Sequence, residues 1–522
     1  MTNSKQHYDT IIVGGGHNGL VCAAYLAKAG KRVLVLEANS QIGGAAVSEE
    51  LCAGKNISSC AHYLNQLNSQ IIKDLNLYKH GLKLAATNIL TTVLDKEGNH
   101  LKIEGNTVSG SSLSAQDSIA YTKFNDLICD YAKVLNFLNN KTPFNIFEPN
   151  WSDKIVAIKL AWKLRFGLGA KKMSEFLRQA GMNIYDVLND EFDNSLLKGA
   201  LSFDAVLGTH TGPRSPGSVF TYLYRMSSDN YGSINVAEGG MGSVSKAIAK
   251  AAEAAGVEIR VNARVSTINV DNCAVSGVTL ENGETIISNQ VASNADPRTT
   301  VLKLVGTRHF EADFVKRIDF LRMRGNTAKL HLALSDLPNF TGLDTKDLKN
   351  RLVIAPNQDE VERAFNHVKY KEYSSRPMME ISIPSIADTT LTDKGHVLSA
   401  IVQYAPHNLK GGWTDESKNA FLQLCIDRIA EYSPDIHKLI EHSELLTPVD
   451  LEERFGMQNG NWHHGELSLD NMLMLRPAPE AARYALPLTG MFLCGAGAHP
   501  GGGVMGVAGK NAAQAILVGE NE

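Results

Sequence analysis

Two short apolar runs of strand type, Thr10-Ile11-Ile12-Val13 and Val33-Leu34-Val35-Leu36, bracket an Ala-rich stretch from about Leu20 to Ala29. The runs are continuous rather than alternating, as in strands buried on both faces, and the middle stretch has the length and composition of a helix. The turn between the first strand and the helix reads Gly14-Gly15-Gly16-His17-Asn18-Gly19, and the second strand ends at Glu37. A further pair, Gly43-Gly44, follows six residues later.

The same alternation of periods continues downstream. A mixed stretch to about Asn145 holds a hairpin-like turn at Lys96-Glu97-Gly98-Asn99. From Trp151 to Leu188 the pattern is helical and basic. After Glu238, Gly239-Gly240-Met241-Gly242 opens a helix from Ser243 to Ala255. Strands are predicted at Val257–Val261, Val265–Val270 and Ala274–Leu280, with a hairpin turn at Asn282-Gly283 and a return run from Ile286 to Asn294. Ala328–Leu334 and Val397–Val402 are strand-like within a mixed region. Met491-Phe492-Leu493-Cys494 is a buried-type strand before Gly495-Ala496-Gly497-Ala498-His499-Pro500-Gly501-Gly502-Gly503-Val504-Met505-Gly506 and an Ala-rich helix, Val507 to Val518. The expected organisation is α/β and interleaved. Segments 1–85, 235–305 and 465–522 form a Rossmann-like nucleotide domain. Segments 86–234 and 306–464 form an α+β substrate domain, with 151–188 its basic helical part.

The N-terminal arrangement predicts a dinucleotide site. Gly14 permits the tight turn, Gly16 lets the backbone approach a pyrophosphate, and Gly19 lets helix and strand pack closely. The helix N-terminus points N–H groups and a positive dipole end at the phosphates. Glu37, 21 residues after Gly16, stands where a carboxylate accepts from both ribose hydroxyls and repels a 2′-phosphate. FAD or NAD is therefore favoured over NADP. Gly43-Gly44 and the C-terminal loop, with six glycines in twelve residues, select FAD, because they suit a longer, flat cofactor lying against bare main chain. A helix starting at Gly506-Val507 would aim its N–H groups at the flavin N1/C2 carbonyl, where reduction places negative charge. A purely structural Gly-rich turn is the alternative at each loop. Gly240-x-Gly242-x-x-Ser245 imitates a second nucleotide loop, but Gly232-Ser233-Ile234-Asn235 before it is too polar for a buried parallel strand.

Composition changes little. At 522 residues, two or more domains are expected. A net charge of −4 gives no global pull toward nucleic acid. The polar stretch Met1–Asp9 reads neither as a secretory nor as a transit segment, and no apolar run reaches bilayer length, so a cytoplasmic protein is expected, with contact to a membrane surface left open. That contact would fall at 151–178, where Trp and Ile interleave with Lys and Arg; the plainer reading is a helical cap with its lysines in water. Seven cysteines without framework spacing suggest reduced thiols. Cys52 and Cys60, with seven residues between them, are wider apart than a flavin-linked redox pair. No metal cluster stands out, since His463-His464 lacks ligand-spaced partners apart from Glu466. Oligomeric state does not follow from these residues; a homo-oligomer is left open.

Taken together, Ile11–Leu20, Ile42–Val47, Glu238–Gly242, Ser293–Pro297 and Cys494–Gly506 resemble the phytoene desaturase-related FAD oxidoreductases of the amine oxidase-like flavoprotein superfamily. The resemblance implies an FAD-dependent desaturation or oxidation of a lipophilic, polyene or lipid-like substrate by hydride transfer. It implies adenosine on Gly14, Gly15, Gly16, His17, Asn18 and Gly19 with Glu37 and Ala38, adenine near Val265, and the ring against Gly43, Gly44 and Ala45 and against Gly495, Gly497, Gly506 and Val507. Two departures each remove a polar anchor: Ala45 stands where an Arg is common, and Gly495–Ala498 lacks an Asp. His499 and Glu238 are the catalytic candidates, His499 being equally compatible with a structural role, and His17 is expected to cap the phosphate helix. A redox-neutral isomerase or saturase, and a flavin-fold binding or regulatory protein with little turnover, are the other readings.

Overall fold

A computed structural model describes residues 7–145 and 149–519 of the chain, so most of the polar stretch Met1–Asp9 lies outside it. Three distant stretches of sequence build one five-stranded parallel sheet. Its order is Glu258–Arg260, Val33–Leu36, Thr10–Val13, Val291–Ser293, Met491–Leu493. Ile12 pairs with Val35 on one side and Ala292 on the other. The central strands are buried along their whole length, which is why they read as unbroken apolar runs.

The helices His17–Lys28, Met241–Ala254 and Val507–Gly519 belong to this layer. A Cβ placed on Gly509 would lie 2.0 Å from Asn18 O, so the first and last helices meet backbone to backbone. His17 reinforces the junction, its Nε2–H donating to Gly503 O at 2.9 Å. The return run after Asn282-Gly283 splits in two. Thr285–Ile287 completes an antiparallel meander with 265–271 and 274–280, and only Val291–Ser293 enters the parallel sheet.

The second sheet has eight strands, ordered Ile440–Leu446, Thr327–Leu334, His396–Gln403, Met378–Ser382, Arg351–Ile354, Thr91–Val93, Leu101–Glu104, Thr107–Ser109. All neighbours are antiparallel except 351–354 with 91–93. Alternation divides its faces. Leu330, Leu332, Leu334, Leu352, Ile354, Met379 and Ile381 enter one apolar core with Phe340 and Phe421. Lys329, His331, Arg351 and Glu380 point the other way and are nonetheless buried. Helices Ala115–Asn139, Ser195–Val206 and Ser218–Met226 add a further layer.

Candidate functional site

A cavity of about 480 Å³ runs from the N-terminal glycine loop to the eight-stranded sheet. At one end it is lined by Gly14, Gly16, His17, Asn18, Glu37 and Ala38, then by Gly43, Gly44, Ala45 and Val265. The remaining loop glycines act from behind. Gly15 N–H donates to Glu37 Oε2 at 2.7 Å, and a Cβ on Gly19 would sit 2.3 Å from Gly14 O, which is the close helix–strand packing expected of it. Gly14 has φ +99° and needs glycine for its backbone, whereas Gly16, at φ −68°, needs it only for space. Helix 17–28 has no side-chain cap and no acid in its first turn. Burial holds His17 down at about 4, so its ring is neutral and its Nε2–H is committed to Gly503.

The far end was not legible from motifs. His62, Tyr63, Gln66, Asp204, Tyr224, Arg225, Glu380, Ile401, Trp462, His463 and Leu467 line it. His62 Nε2–H donates to Glu380 Oε1 at 3.0 Å, and His62 Nδ1 accepts from Lys329 Nζ at 2.7 Å. Glu380 Oε2 also receives Arg225 at 3.2 Å and Arg351, and Arg351 in turn holds Asp204. Two guanidinium groups thus face two carboxylates, with Lys329 and His62 attached. Burial alone would push the Glu380 carboxyl up; Arg351, His62 and Arg225 override it and hold it well below the usual range. Burial, followed by Lys329, lowers His62 to about 4. Burial also brings Lys329 down to about 7, despite Cys60 and Glu380. Lys329 therefore changes charge near neutral pH directly behind the cavity wall.

The model of flavin containing amine oxidoreductases matches residues 19–517. Pyridine nucleotide-disulfide oxidoreductase domain-containing protein 2 of Rattus norvegicus is 35% identical, covering 98% of this chain and 94% of its own. The chain belongs to the flavin containing amine oxidoreductase family. More distantly, a phytoene desaturase (lycopene-forming) of Pantoea ananas is 23% identical across 98% of this chain and 99% of its own. Among solved structures, cyclohexylamine oxidase from Brevibacterium oxydans IH-35A superposes with a TM-score of 0.60 at 14% identity, covering 99% of this chain and 100% of that one, a likeness of fold.

The cavity suits the family's flavin on three grounds in this molecule. It is elongated and starts at an uncapped helix N-terminus. Glu37 spends one acceptor site per oxygen on Gly15 N–H and Asn39 N–H, leaving carboxylate lone pairs for further donors. Asn18 Oδ1 and His464 Nδ1, both on lining residues, are buried without a protein partner among the described residues, as polar atoms awaiting a ligand would be. The helix at Met241 offers no such end, because Ser58 and Ser48 hydroxyls already accept from the N–H groups of Met241 (2.9 Å) and Gly242 (3.0 Å). Cys52 and Cys60 are free thiols, and burial raises Cys60 to about 11.

Several expected site residues stand elsewhere. Gly495, Gly497, Gly506 and Val507 do not line the cavity; Ala496, Gly503 and Val504 do. The bare positions serve packing instead. A Cβ on Gly495 would meet Asn294 O at 2.5 Å, one on Gly497 would meet Pro297 Cδ at 2.3 Å, and Gly506 abuts Ile71 and Val21. Arg476, buried, fixes this wall by donating to the carbonyls of His463, Gly465, Glu466, Asn471 and Ala496. Both catalytic candidates also fall outside. Glu238 is half-exposed and pairs with Lys83 at 3.2 Å. His499 is buried, with Nε2–H donating to Leu138 O at 3.1 Å.

Burial lowers His499 to about 4. In that window the unfolded chain binds the extra proton, so His499 costs stability as pH falls from 6.5 toward 4. At pH 5 the cost is about 2 kcal/mol. His499→Gln should leave turnover within about twofold and flatten the urea-midpoint decline across that pH range. A loss of turnover with unchanged stability would put His499 back at the reacting centre.

Proposed function

We propose that this chain is an FAD-dependent oxidoreductase that dehydrogenates a lipophilic substrate. The observation that carries the reading is the continuity of one cavity from the Gly14–Gly16 loop to the His62–Glu380 wall. In this reading the uncapped helix would hold the phosphates, Glu37 the ribose hydroxyls and Val265 the adenine, and Gly43, Gly44, Gly503 and Val504 would hold the remainder of the cofactor. Bound there, FAD supplies the acceptor for a hydride leaving a C–H bond.

The chain's own residues shape that end. Leu207, Ile234, Ile401, Leu467 and Trp462 give an apolar surface that excludes water. The charges beside them are already paired with one another, so the wall asks for no charged substrate. The full-length relationship to a phytoene desaturase supports the same substrate class. His62 faces the cavity with its tautomer fixed by Glu380 and Lys329. Lys329 is a positioning residue: from behind His62 it holds or releases a proton near pH 7 and so sets the charge beside the reacting end.

The test is the visible spectrum of the purified or FAD-reconstituted protein, followed by anaerobic addition of polyenes and lipids. Flavin bands that bleach with such a substrate support the reading. Bands that require prior reduction for turnover, with no net acceptor consumed, would select the isomerase. A protein that takes up no flavin would exclude both. Lys329→Met should fold, since it removes a buried charge. It should also shift the potential of the bound flavin to more negative values and remove the part of its pH dependence near 7 that Lys329 contributes, leaving the slope of the flavin's own proton uptake. Dye-equilibrated reduction measures both, and an unchanged potential would place Lys329 too far from the ring to matter.

A further inference from the structure

The helix Trp151–Trp162 carries a face that nothing among the described residues covers. Trp151, Ile155, Ile158 and Trp162 recur at spacings of four, three and four, which is a single stripe along a helix. They are between 49% and 79% exposed. Phe166 prolongs the stripe, its ring centroid 4.4 Å from that of Trp162 and equally exposed. The opposite side fastens the helix to the body. Buried Asp153 receives Arg483 Nη1 at 2.8 and 2.9 Å and completes a capping box with Asn150.

Cations border the stripe. Lys154 lies 5.1 Å from the Trp151 ring centroid and Arg165 lies 5.7 Å from that of Phe166. Lys159 and Lys163 occupy the other flank. None of these four makes a salt bridge among the described residues, whereas the nearby acids Asp153 and Glu175 are taken by Arg483 and Arg178. The arrangement places aromatic and aliphatic groups at the centre, long cationic side chains at the edge and uncompensated positive charge around both. No helix among the described residues is long and apolar enough to cross a membrane.

We propose that this face docks on an anionic lipid bilayer, the helix lying in the plane of the surface with Trp151, Ile155, Ile158 and Trp162 among the headgroups. A bilayer fits better than a second copy of the chain. A two-fold contact would set this cationic border against itself, while an anionic surface complements all of it. No described residue of 151–179 lines the cavity, so the docking face stands independently of the flavin reading.

The experiment uses the full-length protein with vesicles of phosphatidylcholine alone or mixed with phosphatidylglycerol. Co-sedimentation and tryptophan emission are the readouts. Binding to the anionic vesicles is expected, with a blue shift and weakening as salt rises. Trp151→Ser with Trp162→Ser should lower affinity at least about tenfold. Lys154→Gln with Lys159→Gln and Lys163→Gln should lower binding to the anionic vesicles while leaving the neutral ones unchanged. All five side chains are exposed, so these variants keep the fold, which thermal unfolding checks. No vesicle binding, or binding untouched by the tryptophan changes, overturns the proposal. A solution dimer that the same changes dissolve also overturns it and assigns the stripe to a second copy.

Discussion

Gly16→Val is expected to yield a folded protein without flavin. Gly16 caps helix 17–28 at φ −68° and ψ 165°, an extended conformation that suits a β-branched residue. Backbone strain is therefore absent. The only close contact for a new Cβ is Asn294 Nδ2, at 2.6 Å, the movable end of a side chain that itself lines the cavity. The valine methyl groups therefore add bulk at the end of the cavity that Gly16 and Asn294 line. That is the space assigned to the pyrophosphate. Affinity for FAD should fall by about a hundredfold or more, roughly 2.7 kcal/mol, with little change in the thermal unfolding of the apoprotein. Titration with FAD, followed by fluorescence quenching, measures the loss. Unchanged flavin content in a folded variant would mean the phosphate loop has been misassigned.

Arg351→Met is expected to cost about 3–5 kcal/mol of stability. Arg351 is fully buried and holds both Asp204 and Glu380. The replacement fills similar volume, so the loss is electrostatic: two carboxylates keep one guanidinium, Arg225, between them. The Glu380 carboxyl should rise as its strongest counter-charge disappears. The sign follows from linkage. A depressed carboxyl contributes stability above its unfolded value, and that contribution fades as pH falls. In the variant this contribution shrinks, so the deficit in the urea midpoint should be larger at pH 7 than at low pH. Adding Glu380→Gln to Arg351→Met should recover part of the loss, because it removes one uncompensated charge. A deficit below about 1 kcal/mol, with no recovery in the double variant, would show that water screens the cluster.

The distribution of what was readable follows contact range. The strand, glycine turn, helix, strand and acid of residues 10–37 are neighbours in sequence, and each has one local reason for its type. The structure brings Gly14, Gly16, Glu37, Gly43 and Gly44 to one cavity. The strand Ala328–Leu334 shows how the same logic stops short. Its alternation announces two faces, and an alternating face bearing Lys329 and His331 ordinarily meets water. Here residues 59–62 cover it, and His331 Nε2–H donates to Ser59 O at 3.2 Å.

The C-terminal loop shows the limit at single residues. Six glycines mark a crowded backbone correctly, but crowding has two sources, a ligand or another main chain. Gly495 and Gly497 are crowded by 294–297, while Ala496, Gly503 and Val504 border the cavity. His499 and Glu238 carry titratable groups beside glycine motifs, and a motif does not fix the direction in which a side chain leaves it.

Local sequence alone set the secondary structure around the N-terminal glycine loop, the carboxylate at the end of its second strand and the cationic, Trp-bearing character of 151–178. Only the tertiary structure decided that Lys329, His62, Glu380, Arg351, Asp204 and Arg225 share one buried wall. They come from three strands of one sheet face, two helices and the 59–62 segment. The physical reason is that periodicity encodes which residues share a face of one element, whereas the pairing of buried charges depends on which faces meet, and those meetings join residues hundreds of positions apart.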